Sequence, residues 1–337
     1  MGRYVIRRLL QFIPTVLGTM FLLHYLTSLA IQFNGNPVRA LFGDRTPPED
    51  QLRQMTEQMG LGDPCLTRKG DPCIGLFVER MQKVFVHFDF GESLRPRRPV
   101  TDILADALPY TIKITIIAFI IEALFGLAAG VLAGLRNRQF SDYAVRFSTV
   151  LMISVPTFVS GVLVQKLVGV KFGNWLRDTV HAPDWLGRGV FGAAYKAEYP
   201  WLSLLLPGLV LGALSIAATA RLTRGSLLEN LRADYVRTAK AKGLKRNRVI
   251  GVHTLRNSLI PVVTTLGLSI GGYMSGAVVT EGIFRVPGVG FTILRAIQNG
   301  EPMVLVGITT VLVMIYLAAN LLVDLLYAVL DPRIRYE

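Results

Sequence analysis

Residues 233–261 read ADYVRTAKAKGLKRNRVIGVHTLRNSLIP, a basic stretch set between two apolar ones. It carries Arg237, Lys240, Lys242, Lys245, Arg246, Arg248 and Arg256 against one acid, Asp234. That much positive charge does not enter hydrocarbon, so the stretch is expected on the cytoplasmic face of a membrane that its flanks cross. Its local pattern predicts a short helix over 235–242, with Asp234 as N-cap and Gly243 as the left-handed residue that ends it. Val236 and Ala239 share one face, expected to press small apolar side chains into a partner's groove. A second helix is predicted from about Asn247, bringing Val249, Val252 and Leu259 to one side, and Pro261 opens the next apolar run. Physical chemistry alone leaves two readings open: a helical hairpin that docks a partner, or a basic amphipathic loop resting on anionic headgroups.

Working outward, the 337 residues are 51% hydrophobic and only 18% charged, with a mean hydropathy of +0.44. A soluble domain carries about 25% charged residues, so the deficit points to a membrane protein. The net charge of +13 would suit a nucleic-acid partner only if it lined one soluble face. Here the basic residues sit in short clusters beside apolar runs, which fits an inside-positive topology and lipid headgroups, and no nucleic acid.

Arg3, Arg7 and Arg8 precede an apolar run over 9–31. At about 20 residues it exceeds a signal-peptide core and suffices to span a bilayer, so it is read as a retained first helix with its N-terminus inside. Residues 32–106 are polar and rich in Pro and Gly, and are expected to form an extracytoplasmic domain with helices near 48–59 and 76–87. Cys65 and Cys73 are the only cysteines; in a turn-rich, oxidising segment they are expected to pair as a disulfide rather than ligate a metal. The domain limits drawn are 1–31, 32–106 and 107–337, the last containing the cytoplasmic loop 221–260. Further apolar runs cover 111–135, 145–170, 201–220, 260–279 and 303–330. The fold class expected is therefore an all-α membrane protein with six transmembrane helices, multi-pass in the cell (inner or plasma) membrane, both termini cytoplasmic. The inside segments 1–8, 136–146, 221–256 and 331–337 are all net basic, so charge and span count agree.

No GxxxxGK[ST] phosphate loop and no Ser/His/Asp constellation occur, and the four histidines, His24, His87, His181 and His253, are scattered. The chain is read as non-catalytic, with no cofactor and no metal of its own. Ionisable groups inside spans are costly and tend to face a cavity or a partner. Glu122 is the clearest, either lumenal or at a helix contact. His24 is a buried structural histidine or a substrate contact. Gly271, Gly272, Ser275 and Gly276 give the fifth run a small-residue face for close packing or a pore wall. Glu122, His24 and Ser275 are thus the candidates for a translocation pathway.

Residues 235–243, followed by His253-Thr254-Leu255-Arg256-Asn257-Ser258-Leu259-Ile260-Pro261, resemble the EAA loop of ABC importer permeases of the dipeptide/oligopeptide branch. The resemblance extends to YVIRRLLQFIPTVLGTM at 4–20, FDFGES at 88–93, PYT at 109–111, EGIFRVPGVG at 281–290 and DPR at 331–333. It implies a type I ABC importer permease fold that works beside a second homologous permease. Two ATP-binding subunits carrying ATP and Mg would sit below, and an extracytoplasmic substrate-binding protein above. It makes Tyr235, Ala239 and Gly243 coupling positions, with Asp234, Val236 and Leu255 in the same docking surface. It places Glu281, Phe284, Pro287 and Gly288 against the binding protein. Arg237 and Arg256 stand where the general pattern has glutamate and proline. The implied cargo is di- or oligopeptides, with a nickel chelate or haem as the alternative within the branch. A self-sufficient secondary transporter or channel would need paired intramembrane charges or inverted repeats, and the sequence displays neither.

Overall fold

The computed structural model describes residues 2–35, 37–40, 48–58, 60–94 and 97–330. The basic C-terminal segment 331–337, Met1 and the Met59 end of one predicted helix lie outside the described residues. The first apolar run folds as one helix, α1 (Gly2–Asn34), with Pro14 inside it. Leu10, Leu22 and Leu26 project from it largely exposed, as a lipid-facing stripe does.

After α2 (Pro37–Ala40) and α3 (Glu49–Gln58), a turn of 3-10 helix at Pro64–Thr67 leads to α4 (Ile74–His87). Cys65 and Cys73 are joined as expected, with their Cα atoms 5.4 Å apart. The bridge shares a small core with Val38, Leu61 and Leu66, separate from the main bundle. The end of α1 holds this loop: the Gln32 amide donates to the carbonyls of Asp71 (2.8 Å) and Cys65 (3.3 Å), and accepts from the Gly70 amide (2.8 Å). A hairpin of β1 (Glu92–Leu94) and β2 (Arg97–Pro99), antiparallel with Ser93 opposite Arg98, then feeds the bundle.

The centre of the bundle is α5 (Val100–Ile121), α10 (Leu205–Leu231) and α14 (Ile260–Phe284). A turn of π-helix at Glu122–Gly126 carries α5 on into α6 (Leu127–Leu135), so the two make a single apolar stretch of 36 residues. Helices in lipid gain no hydrophobic drive from meeting one another, so they associate where small residues let backbones close in. Gly126, Gly130 and Gly134, four apart on one face, lie against Thr219, Thr223 and Leu227 of α10. A Cβ on Gly130 would stand 2.5 Å from the Thr223 Cβ and 2.7 Å from the Ala220 carbonyl, so α6 could not approach with any larger residue there.

The third apolar run is not one straight span. It breaks into α7 (Phe140–Ser154) and α8 (Thr157–Val164), and the pair is bent by 102°. Pro156 is the cause: it lacks an amide hydrogen and forces Val155 into extended backbone (φ −97°, ψ 121°). A wide turn (Gln165–Phe172) and α9 (Gly173–Asp178) follow. Beyond α10 come α11 (Asp234–Ala241), α12 (Arg246–Arg248) and α13 (Arg256–Ser258). After α14, the chain closes with α15 (Val289–Asn299) and α16 (Pro302–Leu330).

Four helices are individually long and apolar enough to cross a membrane, and the number reaches seven if each of three bent pairs also crosses. The all-helical membrane architecture is therefore observed, with a tiny hairpin as its strand content among the described residues.

Candidate functional site

The basic stretch folds as a compact hairpin at the end of α10. Asp234 is the first residue of α11 rather than its cap; extended Ala233 precedes it and makes no side-chain cap. Its negative charge still lies in the first turn, where the helix dipole favours it. Gly243 ends the helix with φ +73°, the left-handed conformation expected of it.

Val236 and Ala239 are not offered to a partner. Both are buried within the chain, where they pack with Val249 and are flanked by Leu244. The reason is geometric: the π turn Val249–Leu255 folds back against α11, and small apolar residues make the contact close. Leu255 is half-buried on that turn. Ser258 ties the hairpin to α10, donating to the Thr254 carbonyl (2.8 Å) and more weakly to that of Ser226 (3.5 Å). The outward face consists of Tyr235, Arg237, Lys240, Lys242, Lys245, Arg246, Arg248 and Arg256, all exposed. Tyr235 donates to the Asn230 side-chain oxygen at 2.5 Å. Among the described residues only Arg237 of these cations has a carboxylate partner, Asp234 at 3.3 Å, and that pair is open to solvent. The hairpin thus buries Val236, Ala239 and Val249 and presents bare positive charge; Val252, expected beside Val249, is instead exposed.

Just inside the hairpin, Arg224 on α10 grips Asp142 on α7 through two bonds, of 2.6 and 2.9 Å. Asp142 also accepts from the Arg138 amide (2.9 Å), and Arg224 reaches Asn137 (3.2 Å). The Asp142 side chain has no solvent exposure. Removing either partner leaves the other's charge unmatched, the more costly for Asp142, which is shut off from solvent. In the sequence Arg224 is one more basic residue of the segment 221–256; its partner lies 82 residues away, and no local spacing announces it.

Glu122, a pathway candidate, lines no opening. It is fully buried on the π turn between α5 and α6, enclosed by hydroxyls from two other helices. Thr219 (2.6 Å) and Ser269 (3.1 Å) donate to one oxygen and Tyr273 (2.5 Å) to the other. The carboxylate therefore joins α5, α10 and α14 at one point, the helix-contact alternative. His24, buried at 2% exposure, meets the Cys73 carbonyl at 3.1 Å through Nε2 and packs against Phe77. It fixes the disulfide loop to α1 rather than lining a route. Ser275 is exposed, bonded to the Gly272 carbonyl of its own helix at 3.1 Å.

The 281–290 motif forms an elbow between α14 and α15, bent by 78°. Glu281, Phe284 and Gly288 are buried in it, so they do not form the surface expected to meet a binding protein; Pro287 is half-buried and Arg285 exposed. Glu281 accepts from the Thr111 hydroxyl (2.7 Å) and the Phe291 amide (3.1 Å), while Thr111 accepts from the Val289 amide (2.8 Å). Glu281 and Thr111 thereby satisfy free amides at the start of α15, the groups a helix N-terminus leaves open. A Cβ on Gly288 would collide with the Glu281 carboxylate, and one on Gly290 with the Val278 backbone. The spacing of EGIFRVPGVG is thus a packing requirement. The loop after α9 covers the elbow, the Tyr195 amide donating to the Phe284 carbonyl at 2.9 Å.

Comparison with known proteins agrees with this architecture. The family model described as "Binding-protein-dependent transport system inner membrane component" matches residues 126–336. The dipeptide transport system permease protein DppB of Alkalihalophilus pseudofirmus is 34% identical over 344 residues, covering 99% of each chain. The di/tripeptide transport system permease protein DppB of Pseudomonas aeruginosa is 34% identical over 354 residues, again covering 99% of each. The dipeptide transport system permease protein DppB of Escherichia coli K12 is 33% identical over 353 residues, covering all of both chains. Full-length likeness of this order, on top of the family match, is more than a shared bundle of apolar helices produces: this chain belongs to the family of binding-protein-dependent transport system inner membrane components.

Proposed function

We propose that this chain is a membrane permease subunit of an ATP-driven importer of di- and oligopeptides, with six spans and both termini cytoplasmic. The observation that carries the reading is the end-to-end likeness to permeases named for dipeptide and di/tripeptide transport. The basic hairpin lies on the cytoplasmic side, as its charge requires, and residues 32–106 lie outside. The permease forms its pathway with a second, related permease. Two partner subunits bind ATP and Mg, and an extracytoplasmic binding protein delivers the peptide.

The exposed face of 234–258 supports a docking role. Apart from the solvent-open Arg237–Asp234 pair, its cations have no carboxylate partner among the described residues, so an acidic groove on an ATPase would have little existing ion pairing to displace. Its apolar residues already fasten α11 to the π turn, so a push on Tyr235 or Lys240 moves the hairpin as a block. From there Ser258 and Pro261 pass the motion to α10 and α14, and the Glu122 cluster joins those two helices to α5. No covalent chemistry is asked of this chain.

Copurification tests the reading. The tagged chain is expected to bring down a second permease and ATPase subunits, and the reconstituted complex to take up tri-alanine only with ATP and binding protein. A chain that runs alone and moves peptide without ATP would overturn it.

A further inference from the structure

A cavity of about 750 Å³ lies between α4, the β1–β2 hairpin and the first turns of α16. Its size falls within the roughly 300–1,000 Å³ of small-ligand sites. The walls are braced independently of any ligand. The disulfide and Gln32 hold one side, and buried Glu301 accepts the Ser93 hydroxyl to hold the hairpin.

Some of the charged groups around the cavity already have partners. Glu57 pairs with Arg53 (3.1 Å) and Glu79 with Lys83 (2.8 Å). Asp63 accepts from the Cys65 amide and Asp89 from the Gly91 amide, each at 2.8 Å. Among the described residues Arg80, Arg97 and Glu92 have neither an ion-pair partner nor a backbone cap, and Asp63 and Asp89 keep their charge unpaired. Arg80 is half-buried, and burial pulls its guanidinium below the usual arginine range, while none of the acids around the cavity stands within ion-pair distance of it. A partly desolvated guanidinium without a counter-charge is costly, and a carboxylate engaging its planar fork is the partner that best relieves it.

We propose that this cavity binds a short peptide, its α-carboxylate on Arg80 and Arg97 and its ammonium group on Glu92. Unpaired charge of both signs around one cavity matches a zwitterion. An anionic lipid headgroup would engage the arginines but has no use for Glu92. The inference rests on the peptide-importer reading and adds to it a site on the permease itself, beside the elbow end of α14. There, a peptide released by a binding protein would be held before it enters the spans.

The test is equilibrium binding of radiolabelled tri-alanine and tri-alanine amide to the purified complex of permeases and ATPases. The complex sits in phosphatidylcholine nanodiscs without binding protein, and ATP-driven uptake is measured in parallel with binding protein present. Wild type is expected to bind tri-alanine at least tenfold more tightly than the amide. Arg80→Gln should weaken tri-alanine binding at least tenfold and abolish that preference, while Arg80→Lys keeps part of both. Glu92→Gln should weaken binding of both peptides yet keep the preference for the free acid. Arg80→Gln removes an unpaired charge, so its fold should survive, and an unchanged gel-filtration profile checks this. Unaltered affinity in Arg80→Gln overturns the site, as does wild type that imports tri-alanine without binding it in this assay; the importer reading then stands. Binding with the expected preference but no ATP-driven uptake keeps the site and overturns the importer reading. Loss of copurified anionic phospholipid from Arg80→Gln, with peptide binding intact, assigns the cavity to lipid and overturns the proposal.

Discussion

The hairpin at 234–258 and the elbow at 281–290 sit at opposite ends of α14 and treat their residues in opposite ways. The hairpin buries Val236, Ala239 and Val249 and leaves its cations bare. The elbow buries its acid, Glu281, and sheathes it in Thr111 and backbone amides. Both are turns after long helices, and both carry motifs of the same family resemblance. The difference separates two reasons for a motif: one keeps a surface chemically open, the other keeps a bend closed. The elbow has no spare valence, so it suits a rigid strut; the hairpin has almost nothing else.

The comparison breaks most severely at Gly290. Gly290→Val drives a side chain into the Val278 backbone, which a packed elbow cannot absorb. We expect a loss of about 3 kcal/mol and failure of the complex to assemble, read by gel filtration and mixed-micelle denaturation. Glu281→Ala leaves the Thr111 hydroxyl and the Phe291 amide without their acceptor, costing about 2 kcal/mol in the same denaturation assay. Gly243→Val sets a β-branched residue at φ +73°, at about 1–2 kcal/mol, confined to the hairpin. Membrane insertion should persist while ATP-driven uptake falls below a tenth of wild type. Smallest in stability is Arg246→Glu, expected within about 0.5 kcal/mol of wild type; its effect should appear as weaker ATPase copurification. A large stability loss there would erase the contrast between open hairpin and closed elbow.

Apolar runs, the disulfide and the turn at Gly243 were all legible in the sequence, because each depends on local pattern. Pro156 inside the third run marks where the helix must break, but not by how much. That α7 and α8 part by 102° depends on packing against α10 and α14. Gly126, Gly130 and Gly134 form a small-residue stripe every fourth residue, which is as plain in the sequence as Gly271 and Gly272. The roles of Glu122, Asp142 and Glu281 were out of reach for another reason. Their partners, Tyr273, Arg224 and Thr111, come from 151, 82 and 170 residues away, and sequence spacing carries no trace of such pairings. Val236 and Ala239 were correctly placed on one face, but a small apolar face fits a partner's groove or the chain's own next turn equally well. The π turn at Val249–Leu255 decides it.

Site-specific crosslinking most directly tests the claim that the open face of the hairpin is the handle an ATPase grips. Both native cysteines are committed to the disulfide, so a single cysteine at Tyr235 or Lys240 reports alone. With a short thiol crosslinker, both positions are predicted to join this chain to an ATPase subunit, more strongly with ATP bound, while Arg285→Cys at the elbow gives no such product. Crosslinks to the ATPase from Arg285 and none from Tyr235 or Lys240 would contradict the account.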